Sequence, residues 1–371
     1  MFLFQLPEDV LFLVLSYLDP RSLCRLSQAC KRSYMFISRD VVWRKIAKDI
    51  INTGLTRQGI DLCPSIPLKN RVRVSHNWIH GVCRKEVLLK WKINLLVTLS
   101  PKIQIELQNK RAANISAYHL RADGGKLQNR RVALFSGHQE DVCRFTLTDT
   151  HLISAGGDGK IIVHDRGSDY SVEYYGHNQE VNCIDCKGGV IVSGSRDKTA
   201  KIWALGPDRF GQCLHTIPTY DRVWSVAISP SQWCHLLSCL GTEFRRGAGV
   251  LDIAYESPFQ LLTCGYDTFI RYWDLRVCSR KCVMEWEEPH DSALYCIKTD
   301  KNHMIASGSS YYGVVRLWDK RKTRCLQMFQ LAPTTSSPVY SLCFNTTHLY
   351  AALASVLYSL DFRTAASQSW K

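Results

Sequence analysis

Residues 190–203 read VIVSGSRDKTAKIW: an alternating apolar run, a polar turn holding Ser195, Arg196, Asp197 and Lys198, and a second alternating run ending in Trp203. Apolar residues at a period of two mark half-buried strands, and two such runs joined by a short polar turn read as a hairpin. Self-comparison shows what the hairpin belongs to. YGHNQEVNCIDCKGGVIVSGSRDKTAKIWA aligns with SGHQEDVCRFTLTDTHLISAGGDGKIIVHD, which puts His138 and His177 39 residues apart, and Asp158 and Asp197 the same distance.

A period of about 40, with Gly-His early and Trp-Asp late, resembles the WD repeat, one four-stranded propeller blade each. FQLLTCGYDTFIRYWDL carries its pair at Trp273 and Asp274, and NHMIASGSSYYGVVRLWDK at Trp318 and Asp319. His177, Ser193, Asp197 and Trp203 are expected to hydrogen-bond as a buried tetrad. Such residues suggest catalysis when met alone; their recurrence from blade to blade argues for structure. Inner strands are expected to start at Val142, Val181, Val223, Val250, Leu294 and Val339. With a weaker first blade over 92–120, and a last one ending in Leu360 and Asp361, the expectation is seven blades. One is truncated: Trp203 and Trp273 are 70 residues apart, whereas two periods need about 80. QWCHLLSCLG, after the inner strand of that blade, resembles an outer strand and lacks a turn Asp and a Trp.

The amino-terminal residues follow a helical period. Pro7 suits a first turn, Glu8 and Asp9 suit its positive end, and Val10, Leu11, Val14, Leu15 and Leu18 recur at helical spacing. Asp19-Pro20 is a start signal for a second helix carrying Leu23, Leu26 and Cys30, and Asp40 can cap a third carrying Trp43, Ile46 and Ile50. Three short helices cannot bury all these apolar faces against one another, so part of that surface is expected to belong to a partner. The opening Leu-Pro with its acidic pair, the spaced leucines, Cys30-Lys31-Arg32 and Val42-Trp43-Arg44 resemble an F-box over about residues 4–50. The resemblance implies docking on the adaptor subunit of a cullin-RING ubiquitin ligase through Leu6, Pro7, Leu11, Leu15, Leu18, Leu23, Leu26 and Trp43. An ordinary helical cap on the next domain is the plainer alternative.

Charge and cysteines bound the rest. Forty-seven Lys and Arg against 33 Asp and Glu give +14, which suggests an anionic partner without naming it. Residues 69–92 hold seven Lys or Arg against one Glu. No RNA motif or base-stacking arrangement accompanies them, so a solvated linker is the simpler reading. His76, His80 and Cys83 could share a helix face, but a fourth metal ligand is missing. Cys183 and Cys186 form a CxxC without a second pair, and no metal or cofactor is expected. The 16 cysteines are read as reduced core thiols, which leaves the sequons at Asn114 and Asn345 unused. The apolar amino terminus lacks the basic region and cleavage site of a signal peptide, and no run reaches the roughly 20 apolar residues of a membrane span. A cytoplasmic or nuclear protein is expected.

The expected organisation is thus α+β and multidomain: a three-helix F-box (1–52), a basic, partly helical linker (53–94), and an all-β WD-repeat propeller (95–371). The whole resembles the dactylin subfamily of F-box/WD-repeat proteins, which implies a non-catalytic substrate receptor of an SCF-type ubiquitin ligase. In related receptors, substrate lies across the top face, against the residue after the first Val of the inner strand and the residue before the turn Asp. Here this resemblance selects Asn182, Trp224, Tyr295 and Tyr340, then Arg196 and Tyr266, with Arg144 and Arg222 close by. Arginine with tyrosine suits a phosphorylated or acidic peptide. The competing expectation is a basic propeller scaffold that binds RNA or assembles a complex.

Overall fold

The computed structural model describes residues 6–90, 95–100, 104–109, 113–120, 127–230, 249–277, 281–290, 292–334 and 336–363. Helices come first: α1 (Glu8–Leu15), α2 (Pro20–Ala29), α3 (Lys31–Ile37), α4 (Asp40–Asp49) and α5 (Leu68–His80). Residues 8–49 thus hold four helices where three were expected. The extra break falls at Cys30, whose extended backbone (φ −160°, ψ 164°) ends α2 and whose Sγ accepts from the Ser33 amide at 3.4 Å to begin α3. Asp19 caps α2, accepting from the amides of Arg21 (2.9 Å) and Ser22 (3.1 Å). Leu11, Leu15, Leu23, Phe36, Val42 and Trp43 close over a common interior, and the Trp43 indole donates to the Ile37 carbonyl at 2.6 Å. None of the described helices is long and apolar enough to cross a membrane.

The strands follow as β1 (Arg84–Lys90); β2 (Leu95–Ser100), β3 (Gln104–Asn109), β4 (Asn114–Leu120) and β5 (Leu127–Phe135); β6 (Val142–Leu147), β7 (His151–Gly156), β8 (Ile161–Asp165) and β9 (Ser171–Tyr174); β10 (Val181–Lys187), β11 (Val190–Ser195), β12 (Thr199–Ala204) and β13 (Cys213–Pro218). After a gap come β14 (Val250–Tyr255), β15 (Gln260–Gly265), β16 (Phe269–Asp274) and β17 (Met284–Glu287); β18 (Leu294–Thr299), β19 (Met304–Ser309), β20 (Val314–Asp319) and β21 (Cys325–Gln330); β22 (Val339–Phe344), β23 (His348–Leu353) and β24 (Val356–Asp361). They form six four-stranded antiparallel sheets. Five are sequential; the sixth runs β1-β24-β23-β22, so a strand preceding the propeller closes its last blade. Residues 84–90, expected as linker, are therefore an outer strand.

Seven blades are not what the described residues show. Val223, expected to open an inner strand, starts none, and residues 219–230 contribute no strand to any sheet. They still run where an inner strand would. The Val223 amide donates to the Ser195 carbonyl at 3.0 Å, the Ile228 amide to Asp185 at 2.7 Å, and Ser229 Oγ to the Pro258 carbonyl at 3.0 Å. The short spacing between Trp203 and Trp273 leaves too little chain for a complete blade. QWCHLLSCLG lies outside the described residues. Elsewhere the ring is built from inner-strand neighbours, with β22 beside both β18 and β2.

The helices are bolted to one end of the propeller. Trp78 of α5 stacks on Phe362 with ring centroids 3.7 Å apart and donates to the Thr346 carbonyl at 3.0 Å, while Asn77 donates to the Phe362 carbonyl at 2.6 Å. Arg321 reaches the Asp49 carbonyl at 2.7 Å, and the Asn52 amide donates to Asp300 at 2.8 Å. Buried Arg71 holds the connecting loop through Asp61 (2.7 and 2.8 Å) and the Thr53 carbonyl (2.8 Å). Asp300, Thr346 and Arg321 all belong to turns at the end of the blades away from the Asp197 turn, so the helices and the Asp197 rim occupy opposite ends.

Candidate functional site

At the Asp197 rim the scaffold hydrogen bonds can be followed atom by atom. His177 Nδ1 lies 2.8 Å from Asp197 and its Nε2 2.7 Å from Ser193 Oγ, which also accepts from the Trp203 indole at 2.8 Å. Asp197 takes further bonds from the Asn178 amide (3.0 Å) and Thr199 Oγ1 (2.6 Å). Burial works against its charge, but the bonds from Thr199, His177 and Asn178 outweigh it and hold the carboxyl at about 2. His177 is pushed down by burial, with Asp197 opposing, so it stays neutral at physiological pH. The arrangement repeats: His138 sits 3.0 Å from Asp158 and 2.8 Å from Ser154, Trp273 donates to Thr263 at 2.9 Å, and Trp318 to Ser307 at 2.9 Å. These bonds tie the residues of each network to one another within their own blade.

What faces outward is set by a repeated irregularity. The inner strands β6, β10, β14, β18 and β22 each break register just after their first residue, between Val142 and Arg144, Val181 and Cys183, Val250 and Asp252, Leu294 and Cys296, and Val339 and Ser341. A bulge leaves one residue without a cross-strand partner and re-aims its side chain. The residues so released are Cys143, Asn182, Leu251, Tyr295 and Tyr340.

Five of the eight expected mouth residues are joined in a continuous arc. The Arg196 guanidinium lies over the Trp224 ring at 5.7 Å, Trp224 meets Tyr266 edge-on at 6.2 Å, Tyr266 meets Tyr295 at 6.4 Å, and Tyr295 meets Tyr340 at 6.0 Å. Asn182 is turned to the backbone instead, donating to the Val223 carbonyl at 3.0 Å. Arg222 is exposed and has no carboxylate within 4 Å among the described residues. Arg196 pairs with Glu180 at 3.0 Å, both side chains about a third exposed or more. Glu180 also accepts from the Cys143 thiol at 3.2 Å.

Arg144 requires a correction. It is held inside the channel by Asp252 at 2.5 Å, beside a cavity of about 570 Å³ that also touches Asp185 and Lys298, and does not belong to the rim. Its position, the third of its strand, follows the released residue, and the bulge turns it inward. Asp252 further accepts from the Ile297 amide at 3.0 Å, which ties the two blades together.

On the helices, the expected docking residues divide. Leu11, Leu15, Leu23 and Trp43 are interior, each at most 3% exposed, and cannot touch a partner. Leu18 and Leu26 are half-buried, while Leu6 and Pro7 are exposed. Strong apolar periodicity selects the side that packs inward, which is why it picked interior residues. The uncovered apolar stripe of α1 and the turn after it is Val10, Leu13, Val14 and Tyr17, the last 76% exposed. Their positions i, i+3, i+4 and i+7 put them on one helix face. Tyr34, Met35 and Val41 are uncovered on the neighbouring α3 and α4, which meet α1 through Phe12 on Phe36 (4.5 Å) and Glu8 on Arg39 (3.0 Å). Among the described residues no group of three His, Cys, Asp or Glu side chains is placed to hold a metal ion.

Fold and surfaces together define a helical module with an exposed apolar stripe joined to a β-propeller with an aromatic mouth, the two at opposite ends. The F-box-like family model matches residues 3–49, and the WD domain, G-beta repeat model matches 129–165, 169–204 and 280–319. F-box/WD repeat-containing protein 4 of Homo sapiens is 54% identical over 387 aligned residues, covering 97% of this chain and 93% of that protein; its Mus musculus counterpart is 53% identical. The chain belongs to the F-box/WD repeat family. A more distant likeness, 26% identical over 55% of this chain and 29% of the other, is to the "Probable E3 ubiquitin ligase complex SCF subunit sconB" of Talaromyces marneffei. Among solved structures, the RRP9 WD40 repeats superpose with a TM-score of 0.59 at 14% identity, covering 75% of this chain and 97% of theirs, a likeness of fold.

Proposed function

We propose that the protein is a non-catalytic substrate receptor of an SCF-type ubiquitin ligase, working in the cytoplasm or nucleus. The helical face takes the adaptor subunit, and through it the cullin and RING subunits; the propeller mouth takes the substrate. The observation that carries this reading is the pairing of an uncovered apolar stripe on an F-box-like module with an aromatic mouth at the far end of a rigid frame. An exposed apolar stripe costs solubility unless a partner covers it, and ring-lined concavities are where binding energy concentrates. The sconB likeness supports the same assignment.

The substrate is read as an extended segment with an apolar or aromatic side chain set among Trp224, Tyr266 and Tyr295. A phosphorylated or acidic residue beside it is read on Arg196 and Arg222. The Arg196 to Glu180 pair does not preclude this, because an exposed ion pair holds by only about 0.2–1 kcal/mol and yields to a better carboxylate or phosphate. Affinity purification read by mass spectrometry tests the assignment. The Trp224→Ala, Tyr295→Ala double variant should lose a subset of partners while keeping adaptor and cullin, and partner sets identical to those of the wild type would overturn the mouth as the substrate face.

A further inference from the structure

Beyond the mouth and the apolar stripe, the molecule carries a third surface, between α2 and α5. Lys69, Arg73, His76 and His80 stand at i, i+4, i+7 and i+11, one face of α5 and the side away from Trp78, which is turned to the propeller. Arg21 and Arg25 stand one turn apart on α2, whose Cys24, Ser27 and Gln28 meet α5 at a shared cavity. The two rows are close enough to act on each other. Arg21 and His80 help depress the His76 pKa, after burial, and Lys69 and Arg73 oppose the burial that raises the Cys24 thiol. His76 and His80 have ring centroids 4.2 Å apart.

Four of these groups are fixed cations, and among the described residues none of Arg21, Arg25, Lys69 and Arg73 has a carboxylate within 4 Å. Arg71, Arg271, Arg276, Arg316 and Arg321, by contrast, each pair with a carboxylate. The cavity between the helices, of about 210 Å³, is lined by Cys24, Ser27 and Gln28, by Trp43, and by Lys69, Asn70 and Arg73. It therefore offers an apolar base, two amide side chains and two cations at one point, with further cations along a groove about 16 Å long at 1.5 Å per helical residue.

We propose that this groove binds an acidic peptide segment and seats one phosphoserine or phosphothreonine in the cavity, between Lys69 and Arg73. Guanidinium and ammonium donors strengthen greatly on a phosphate dianion, and unpaired like charges held together are relieved by an anion. A peptide fits better than RNA, because RNA recognition calls for open aromatic faces on which bases stack. Here Trp43, at the cavity, is 1% exposed, and the exposed ring of Tyr34 already carries the Lys69 ammonium 5.5 Å from its centroid. This site is separate from the propeller mouth and does not rest on the assignment of that mouth.

The experiment uses the full chain and a fluorescein-labelled hexapeptide with one phosphoserine followed by two glutamates, its unphosphorylated counterpart, and a twelve-nucleotide oligouridine. The phosphopeptide should bind by fluorescence anisotropy, be displaced by inorganic phosphate, and bind about tenfold or more weakly to the Lys69→Glu, Arg73→Glu variant. In an Arg196→Ala background, the Lys69→Glu, Arg73→Glu substitutions should still weaken binding by about the same factor, which separates this groove from the mouth. Circular dichroism and the melting temperature of the variant confirm that it is folded, and Arg25→Glu, on the other helix, provides a second variant should the first unfold. Equal binding of the unphosphorylated peptide, binding indifferent to both groove variants with or without Arg196→Ala, or tighter binding of the oligouridine would each overturn the proposal.

Discussion

Ser193 Oγ stands where two buried hydrogen bonds meet, donating to the neutral His177 Nε2 and accepting from the Trp203 indole, while His177 Nδ1–H faces Asp197. This proton placement follows from the network, because Trp203 can only donate and Asp197 is ionised. Ser193→Ala strands a buried donor and a buried acceptor, and each unsatisfied group costs about 1–3 kcal/mol. The variant should lose about 3 kcal/mol in urea unfolding while its circular dichroism stays native; a loss below about 0.5 kcal/mol, the range of an ordinary surface change, would deny the network its structural role. The repeat comparison separated these residues from Arg196, which does not recur, because repetition itself exposes a scaffold. It could not supply Glu180, since the ion pair forms at the end of the β10–β11 pair, one step beyond Val181 and Ser195, and depends on a strand register that repeat spacing does not carry.

At the scale of elements, inner strands were legible to the residue: β6, β10, β14, β18 and β22 start at Val142, Val181, Val250, Leu294 and Val339. Alternation carries that information. The register break after each first residue was not legible, because a bulge leaves the apolar alternation on either side intact. Strand β1 was hidden for another reason. RKEVLLK is half exposed and basic, and its identity as a strand comes from its pairing with β24, almost the whole chain away. The joint made by α5 carries its own prediction. Trp78 is fully buried, stacked on Phe362 and bonded to Thr346. Trp78→Ala should cost about 3–5 kcal/mol and split one thermal transition into two, the helices melting apart from the propeller. A single transition at the wild-type temperature would mean that the frame is not rigid through this residue.

Across the whole molecule, the F-box-like helices and the mouth sit at opposite ends, so a partner on each would be held apart at a fixed distance. That geometry suits a receptor that presents one bound protein to machinery assembled on another. The shortened blade borders the mouth: residues 222–229 replace an inner strand and still deliver Trp224 to the aromatic arc. The alignment to the human relative runs over 387 positions against 371 residues here, so that relative carries residues with no counterpart in this chain. Adaptor binding is assigned to the apolar stripe of α1, and that assignment is the one to test first. The purified chain should co-elute with the adaptor subunit of an SCF ligase on size exclusion, and Leu13→Asp with Tyr17→Asp, both exposed and so harmless to the helical core, should abolish the complex without lowering the melting temperature. Co-elution that survives both substitutions, or none with the wild-type chain, would contradict it.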